Sequence, residues 1–328
     1  MTVARQEALR DAEQWFLRHG LPYFVDSERQ IVRAGLSRAR LFPVLGAALL
    51  VGVAVGVATG IAVHAVSGGL VFGLLTAGVV LAIYAATTLR LRIIARWAGG
   101  RTLATLSLMF PLVTRALPLL MLFITFLFIN TEVWMVADSL DPGVLALAVM
   151  FFATLAVGFL LVRLPEEMDR VDDDIDPGRL AARTSGTPLE DRAAELFADA
   201  NPAELRRTVE VGGLEKGNLV LVLLVAQTLQ VLLLAVAVLL FFLVFGSVVM
   251  QDAVVESWIG HEVHGVPGLG GLTAPLLKVS VFLAGFSGLY FTVYAVTDET
   301  YRQQFFTSVM RELERAVAVR AVYRNLTR

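Results

Sequence analysis

Positively charged residues are absent from every second gap between the long apolar stretches of this chain. Of its 27 lysine and arginine residues, only Lys278 departs from that alternation. Basic residues that flank membrane spans stay on the cytoplasmic side. The alternation therefore predicts an all-α membrane protein with six transmembrane helices and with both termini in the cytoplasm.

The apolar stretches have the length that membrane helices need. A hydrocarbon core takes roughly 20 helical residues to cross, and a soluble protein has about 45–50% apolar residues, whereas this chain has 57%. The predicted spans are 41–65, 70–89, 116–137, 143–162, 218–248 and 272–296. The fifth is longer than a bilayer requires, so it is expected to tilt or to continue beyond one surface.

The spans divide the chain into five parts. Residues 1–40 form a cytoplasmic N-terminal segment, 41–162 hold spans one to four, 163–217 form a cytoplasmic loop, 218–297 hold spans five and six, and 298–328 form a cytoplasmic C-terminal amphipathic helix. The N-terminal segment is predicted to carry an interfacial helix, because Leu9, Ala12 and Phe16 share one helical face. The C-terminal helix is expected to pack on the chain's own cytoplasmic helices or on another subunit.

Three further cytoplasmic features precede the fifth span. Residues 90–115 are interpreted as a second interfacial helix, with a re-entrant segment as the alternative. Two short capped helices are expected after Thr187 and Asn201, since each is followed by proline and, three residues on, by glutamate. An acidic run holds three aspartates at the spacing that opens an EF-hand loop, but proline and arginine stand where that loop needs glycine and glutamate. The preferred interpretation is a solvated loop or a partner for the arginine-rich cytoplasmic helices. The alternative is a weak divalent-cation site with Asp172, Asp174 and Asp176 as its ligands.

Two charged side chains fall inside predicted spans. Glu132 and Lys278 lie at matching predicted depths, and an intramembrane charge usually pairs or faces a cavity. We therefore hypothesise an ion pair between them, enriched by the neighbouring polar residues Asn130 and Thr131. The alternatives are that Lys278 extends to the membrane surface and that Glu132 lies among hydrated headgroups.

Polar and small residues also mark helix faces within the spans. Gln227 and Gln230 are three residues apart, so they project to one side of the fifth span, where they favour helix packing over lining a solute path. Gly52, Gly56 and Gly60 form a row that lets a second helix approach closely, within the bundle or in a homodimer.

Two motifs resemble enzyme sites and are rejected. His261-Glu262-Val263-His264 lacks the spacing that puts two zinc-binding imidazoles on one helical face, so His261 and His264 stay weak metal candidates. Gly285-Phe286-Ser287-Gly288 matches a rhomboid-protease motif, but no histidine follows Ser287 to act as its base. We expect no enzymatic activity, no cofactor and no metal.

Three segments resemble a group of actinobacterial polytopic integral membrane proteins to which no activity is attached. They are residues 15–22, 123–134 and 294–302. The resemblance implies a membrane location and says nothing of chemistry.

Two functions from different classes remain. The first is an ion or small-solute pathway through the bundle, and the second is a membrane scaffold or accessory subunit whose cytoplasmic helices bind partners. The expected partners are the lipid bilayer and a second copy of the chain or a cytoplasmic protein, while the net charge of −2 argues against nucleic acid. The expected location is the plasma membrane.

Overall fold

A computed structural model describes residues 3–172, 180, 182–198, 211–268, 271–297 and 314–327. Regular structure within these ranges is helical, with one isolated bridge between Gly265 and Thr273. The helices are α1 (Val3–Arg18), α2 (Asp26–Gly35), α3 (Arg38–Val63), α4 (Val66–Thr87), α5 (Leu91–Phe128), α6 (Thr131–Ser139), α7 (Pro142–Asp172), α8 (Glu190–Ala198), α9 (Gly213–Val249), α10 (Asp252–Ile259), α11 (Ala274–Thr297) and α12 (314–327). A 3₁₀ turn, Pro22–Phe24, joins α1 to α2.

Five of these helices are long and apolar enough to cross a membrane. They are α3, α4, α7 as far as Pro165, α9 and α11. A sixth crossing results if the bent pair Met121–Phe128 and Thr131–Ser139 counts as one span. The architecture is that of a multi-pass membrane protein, and the prediction of an all-α membrane fold is confirmed.

The third predicted span differs from the observed structure. Residues 91–128 form one continuous helix, so the expected separate helix or re-entrant segment at 90–115 is the first half of α5. The chain then bends by 71° before α6. Asn130 causes the new start, because its side-chain oxygen accepts hydrogen bonds from the backbone N–H groups of Glu132 and Val133.

Helices α3 and α4 form a hairpin at the edge of the bundle. Its turn is only His64–Ala65, shorter than predicted, and His64 adopts the left-handed conformation that ends α3. The glycine row of α3 lies against α4: a Cβ at Gly56 would stand 2.9 Å from the carbonyl oxygen of Gly69. Gly52 faces Gly73 in the same way. Close backbone approach therefore joins these two helices.

Helix α9 is the centre of the bundle. It packs against α5, α7 and α11, and at 37 residues it is longer than a membrane requires. At the end far from the termini, Phe128 stacks on Phe242 with ring centroids 4.6 Å apart. The indole of Trp134, which is fully buried, donates to the carbonyl oxygen of Phe128 at 2.6 Å. We call this end of the bundle the distal face.

At the other end both termini pack into one small domain. Its hydrophobic core contains buried residues from α1, the 3₁₀ turn, α2, α8, the start of α9 and α12, and it continues into the start of α5 and the end of α7. We call it the terminal-face domain. The apolar face of α1 meets protein here and not lipid, since Phe16 contacts the rings of Phe24 and Tyr323.

The middle of α12, residues 316–323, is buried on all sides and not on one face only. Every residue from 316 to 323 is buried. The sequence predicted an amphipathic helix, but this stretch carries one charge, on Arg320, and an apolar helix without a polar face is stable only inside a core. The other apolar positions used for that prediction lie outside the described residues.

Replacing Gly56 by alanine tests the α3–α4 contact. The added methyl group would press on the backbone of Gly69, and overpacking of this kind costs about 1–3 kcal/mol. We expect a lower midpoint of thermal unfolding for the purified protein in detergent. The matched control is Gly46→Ala in the same helix, where a Cβ meets nothing within 4 Å. Equal midpoints for the two variants would contradict the close approach.

Candidate functional site

The distal face holds a cluster of three charged or titratable side chains. The ammonium group of Lys278 donates to the backbone carbonyl of Asp138 and lies 3.5 Å from its carboxylate oxygen Oδ1. The second carboxylate oxygen of Asp138 is 2.6 Å from Nε2 of His261. Asp138 is the centre of the cluster, with 11% of its side chain exposed.

Lys278 is therefore not paired with Glu132. The 71° bend before α6 carries Glu132 to an exposed position in the first turn of that helix. There a carboxylate is favourable at the positive end of the helix dipole. Asn130 is the capping residue of the same helix, and Thr131 is its first residue. The polar segment 130–132 thus forms the start of a helix. The residue that binds Lys278 is Asp138, seven residues after Thr131.

His261 has a raised pKa. The largest cause is the hydrogen bond from its ring to the backbone carbonyl of Glu262, followed by the bond to the Asp138 carboxylate, and both favour the protonated ring. A group with a raised folded-state pKa stabilises the fold below its ordinary pKa, and that contribution is lost as the pH rises through the folded-state pKa. The ordinary value is 6.5.

The substitution Asp138→Asn is expected to lower the pKa of His261. The amide removes the negative charge and replaces the carboxylate by a neutral, weaker acceptor, and the carboxylate favours the protonated ring. An NMR titration of the His261 ring resonances in the detergent-solubilised protein measures the change. His264 is the internal control, because its ring bonds the same Glu262 carbonyl but makes no contact with Asp138 among the described residues. An unchanged titration of His261 would show that Asp138 does not act on it.

Gln227 and Gln230 lie inside the bundle. Both side chains are buried, and their amide oxygens have no hydrogen-bond partner among the described residues. An unpaired buried amide is costly, at about 1–3 kcal/mol. The packing interpretation expected these groups to bond neighbouring helices, and within the described residues their oxygens make no such bond.

A second polar cluster lies in the terminal-face domain and centres on Glu215. This carboxylate is buried, with 2% of its side chain exposed, and three arginines reach it. Arg320 of α12 contacts Oε2 through both Nη2 and Nε, at 2.6 and 2.7 Å. Arg29 of α2 contacts Oε1 at 3.1 Å, and Arg324 contacts Oε2 at 3.1 Å. Burial lowers the pKa of Arg320, and the Glu215 carboxylate opposes that change.

Asn218 joins the same domain to α9 one turn after Glu215. Its side-chain oxygen accepts from the backbone N–H of Tyr23 at 2.8 Å, and its amide group donates to the carbonyl of Gly20 at 2.9 Å. The Tyr23 hydroxyl donates to the carbonyl of Leu89, and burial raises the pKa of that hydroxyl to about 12. The first turn of α9 therefore binds α2 and α12 through Glu215, and the second binds the α1–α2 connection through Asn218.

The other sequence-derived candidates fall in separate places. His264 is exposed, and Ser287 is buried with its hydroxyl bonded to the carbonyl of Leu283 at 2.6 Å. Within the described ranges no group of three or more His, Asp, Glu or Cys side chains is arranged to hold a metal. Asp174 and Asp176 lie outside the described residues, as does the helix expected after Asn201, and Asp172 ends α7.

The predicted cap before α8 differs in detail. The Thr187 hydroxyl bonds back to the carbonyl of Thr184, so it does not cap the helix. The Glu190 carboxylate does reach back, to the N–H of Gly186 and the hydroxyl of Ser185, and these bonds lower its pKa. The glutamate of the capping motif therefore does accept hydrogen bonds from residues before the helix, but its donors are Ser185 and Gly186 and not Thr187.

Comparisons of this chain with known protein families, with curated proteins and with solved structures find no match.

Glu215→Gln is expected to destabilise the terminal-face domain strongly. The substitution leaves Arg320 buried without a counterion, and breaking a buried pair costs about 3–5 kcal/mol. We expect a lower unfolding midpoint and faster proteolysis of α12. Glu314→Gln is the matched control, because Glu314 pairs with Arg183 at 2.9 Å but both side chains are at least one third exposed. Such a pair contributes about 0–1 kcal/mol. Equal losses in the two variants would contradict the central role of Glu215.

Proposed function

We propose that the protein is a non-enzymatic membrane scaffold that holds a cytoplasmic protein partner through its terminal-face domain. The membrane bundle anchors this domain in the plasma membrane. The polar side chains within the predicted spans favoured a solute pathway, and the positions of those side chains in the structure support the scaffold instead.

The proposal rests on one observation, which is the cluster of ion pairs around a buried carboxylate in the terminal-face domain. Segments from both ends of the chain meet around Glu215, where three arginines converge on one carboxylate. A domain that only closed the bundle would not need a buried charge, which costs free energy to desolvate. Such centres fix the relative position of their elements, as a surface that recognises a partner requires.

The positions of the two charges predicted inside the spans support the same choice. Glu132 is exposed at the start of α6, and Lys278 is held by Asp138 and near His261 at the distal face. The exposed side of the terminal-face domain instead offers charged surfaces on α1 and α8, including Glu190, Asp191 and Glu195.

The sidedness in this proposal rests on charge. Basic residues flank the helix ends at the terminal face, among them Arg38, Arg40, Arg90 and Arg92, whereas the distal loops carry acidic residues. Because basic flanks remain in the cytoplasm, the terminal-face domain lies inside the cell.

Site-specific photo-crosslinking in cells tests the scaffold. A photoreactive residue replaces Gln14 of α1 or Glu195 of α8, both exposed on the terminal-face domain, and Ser257 of α10 is the control on the distal face. We expect the same protein to be captured from both terminal-face positions and not from position 257. Capture of no common protein from the two positions would contradict the proposal.

A second candidate, the solute pathway, is favoured by one observation. The unpaired oxygens of Gln227 and Gln230 lie buried on one helix, and such groups can accept hydrogen bonds from a polar solute or coordinate a cation. Flux in proteoliposomes decides between the two candidates. A pathway predicts ion or solute flux that the double substitution Gln227→Leu, Gln230→Leu changes severalfold, whereas the scaffold predicts no flux above empty liposomes.

A further inference from the structure

We propose that a groove between α1 and α5 binds the phosphate of an anionic phospholipid. The groove encloses about 380 Å³. Its lining comes from Leu17 and Arg18 of α1 and from Ile93, Arg96, Trp97, Gly100, Arg101 and Ala104 of α5. This site is separate from the Glu215 cluster and does not depend on the scaffold function.

The lining carries positive charge without an acidic residue. Two arginines of the lining, Arg18 and Arg96, make no ion pair in the described part of the chain, whereas the third, Arg101, has an interaction of its own. The pocket around Glu215 is different, because Glu215 and Asp26 compensate its arginines. Guanidinium groups bind phosphate oxygens through paired hydrogen bonds, so the α1–α5 groove has the chemistry of an anion site.

The floor of the groove is open for a ligand. Residues 96, 100 and 104 are four apart, so they lie on one face of α5. Gly100 lies in their middle, and a Cβ there would meet nothing within 4 Å. Gly20, in the left-handed conformation, brings the end of α1 onto Trp97, where a Cβ at Gly20 would stand 3.1 Å from the Trp97 Cβ. That contact fixes Arg18 relative to α5.

The position of the groove along α5 suits a lipid and not only a free anion. The helix begins with arginines and becomes apolar, and Leu103, next to the groove, is 55% exposed. Trp97 is half-buried, and tryptophan is common where membrane meets water. A headgroup phosphate at the arginines would therefore place the start of its acyl chains beside Leu103. Basic pockets between membrane helices on the cytoplasmic side bind anionic headgroups in this way.

A lipid titration of the full-length protein tests the site. Native mass spectrometry in a neutral detergent measures binding of phosphatidylglycerol, of phosphatidylcholine with the same acyl chains, and of inorganic phosphate alone. We expect phosphatidylglycerol to bind more tightly than phosphatidylcholine and phosphate not to displace it. Each arginine near an anionic lipid contributes roughly fivefold in affinity, so Arg18→Gln with Arg96→Gln should weaken phosphatidylglycerol binding by about 25-fold.

Two further variants separate this site from general surface charge. Arg33→Gln removes an exposed arginine elsewhere on the terminal-face domain and should leave the affinity unchanged. Gly100→Leu fills the floor of the groove without changing charge and should weaken binding severalfold. Equal affinity for the two lipids, equal losses in Arg33→Gln and Arg96→Gln, or an unaffected Gly100→Leu variant would overturn the proposal. Full displacement of the lipid by inorganic phosphate would reassign the groove to a soluble anion and overturn the lipid assignment.

Discussion

The buried contact between Glu215 and Arg320 is the interaction on which the terminal-face domain depends. A guanidinium without a counterion would be excluded from a core of apolar residues, yet α12 is buried on every side at Arg320. Glu215 makes that burial tolerable, and it also contacts Arg29 of α2. One carboxylate at the start of α9 thereby links segments from both ends of the chain to the central membrane helix.

This link explains why α9 is longer than a membrane span. Its first two turns belong to the terminal-face domain, through Glu215 and Asn218, and its last turns belong to the distal aromatic core, through Phe242. The helix is therefore a continuous connection between the two ends of the bundle. The α3–α4 hairpin contributes differently, since it is joined by glycine contacts and leaves most of its apolar surface exposed, as lipid-facing helices do.

Much of the fold could be predicted from the sequence because apolar length is a local property. Five spans follow from it, and so does the excess length of α9. The break before α6 also has a local signal, since Asn130 and Glu132 fit a helix start, but the apolar residues around them outweighed it. Gly69 and Gly73 of α4 contact the glycine row of α3 and have the same four-residue spacing. That shared spacing could have identified the packing of α3 against α4 from the sequence.

The polar sites were harder to predict because their members are distant in sequence. Lys278 is 140 residues from Asp138, and Arg320 is 105 residues from Glu215. The matching predicted depths suggested Glu132 as the ion-pair partner of Lys278. The bend before α6 explains why Asp138 is the residue that contacts the lysine. Glu215 carried no sequence signal beyond its position in the first turn of a long helix, where an acidic residue is ordinary.

The central claim is that the terminal-face domain is the cytoplasmic, functional end of this molecule. Labelling with a membrane-impermeant maleimide tests it directly, since the chain contains no cysteine and each introduced thiol is the only one. Gln14→Cys should react only after the cells are permeabilised, and Ser257→Cys should react in intact cells. Labelling of Gln14→Cys in intact cells, with Ser257→Cys protected, would contradict the account.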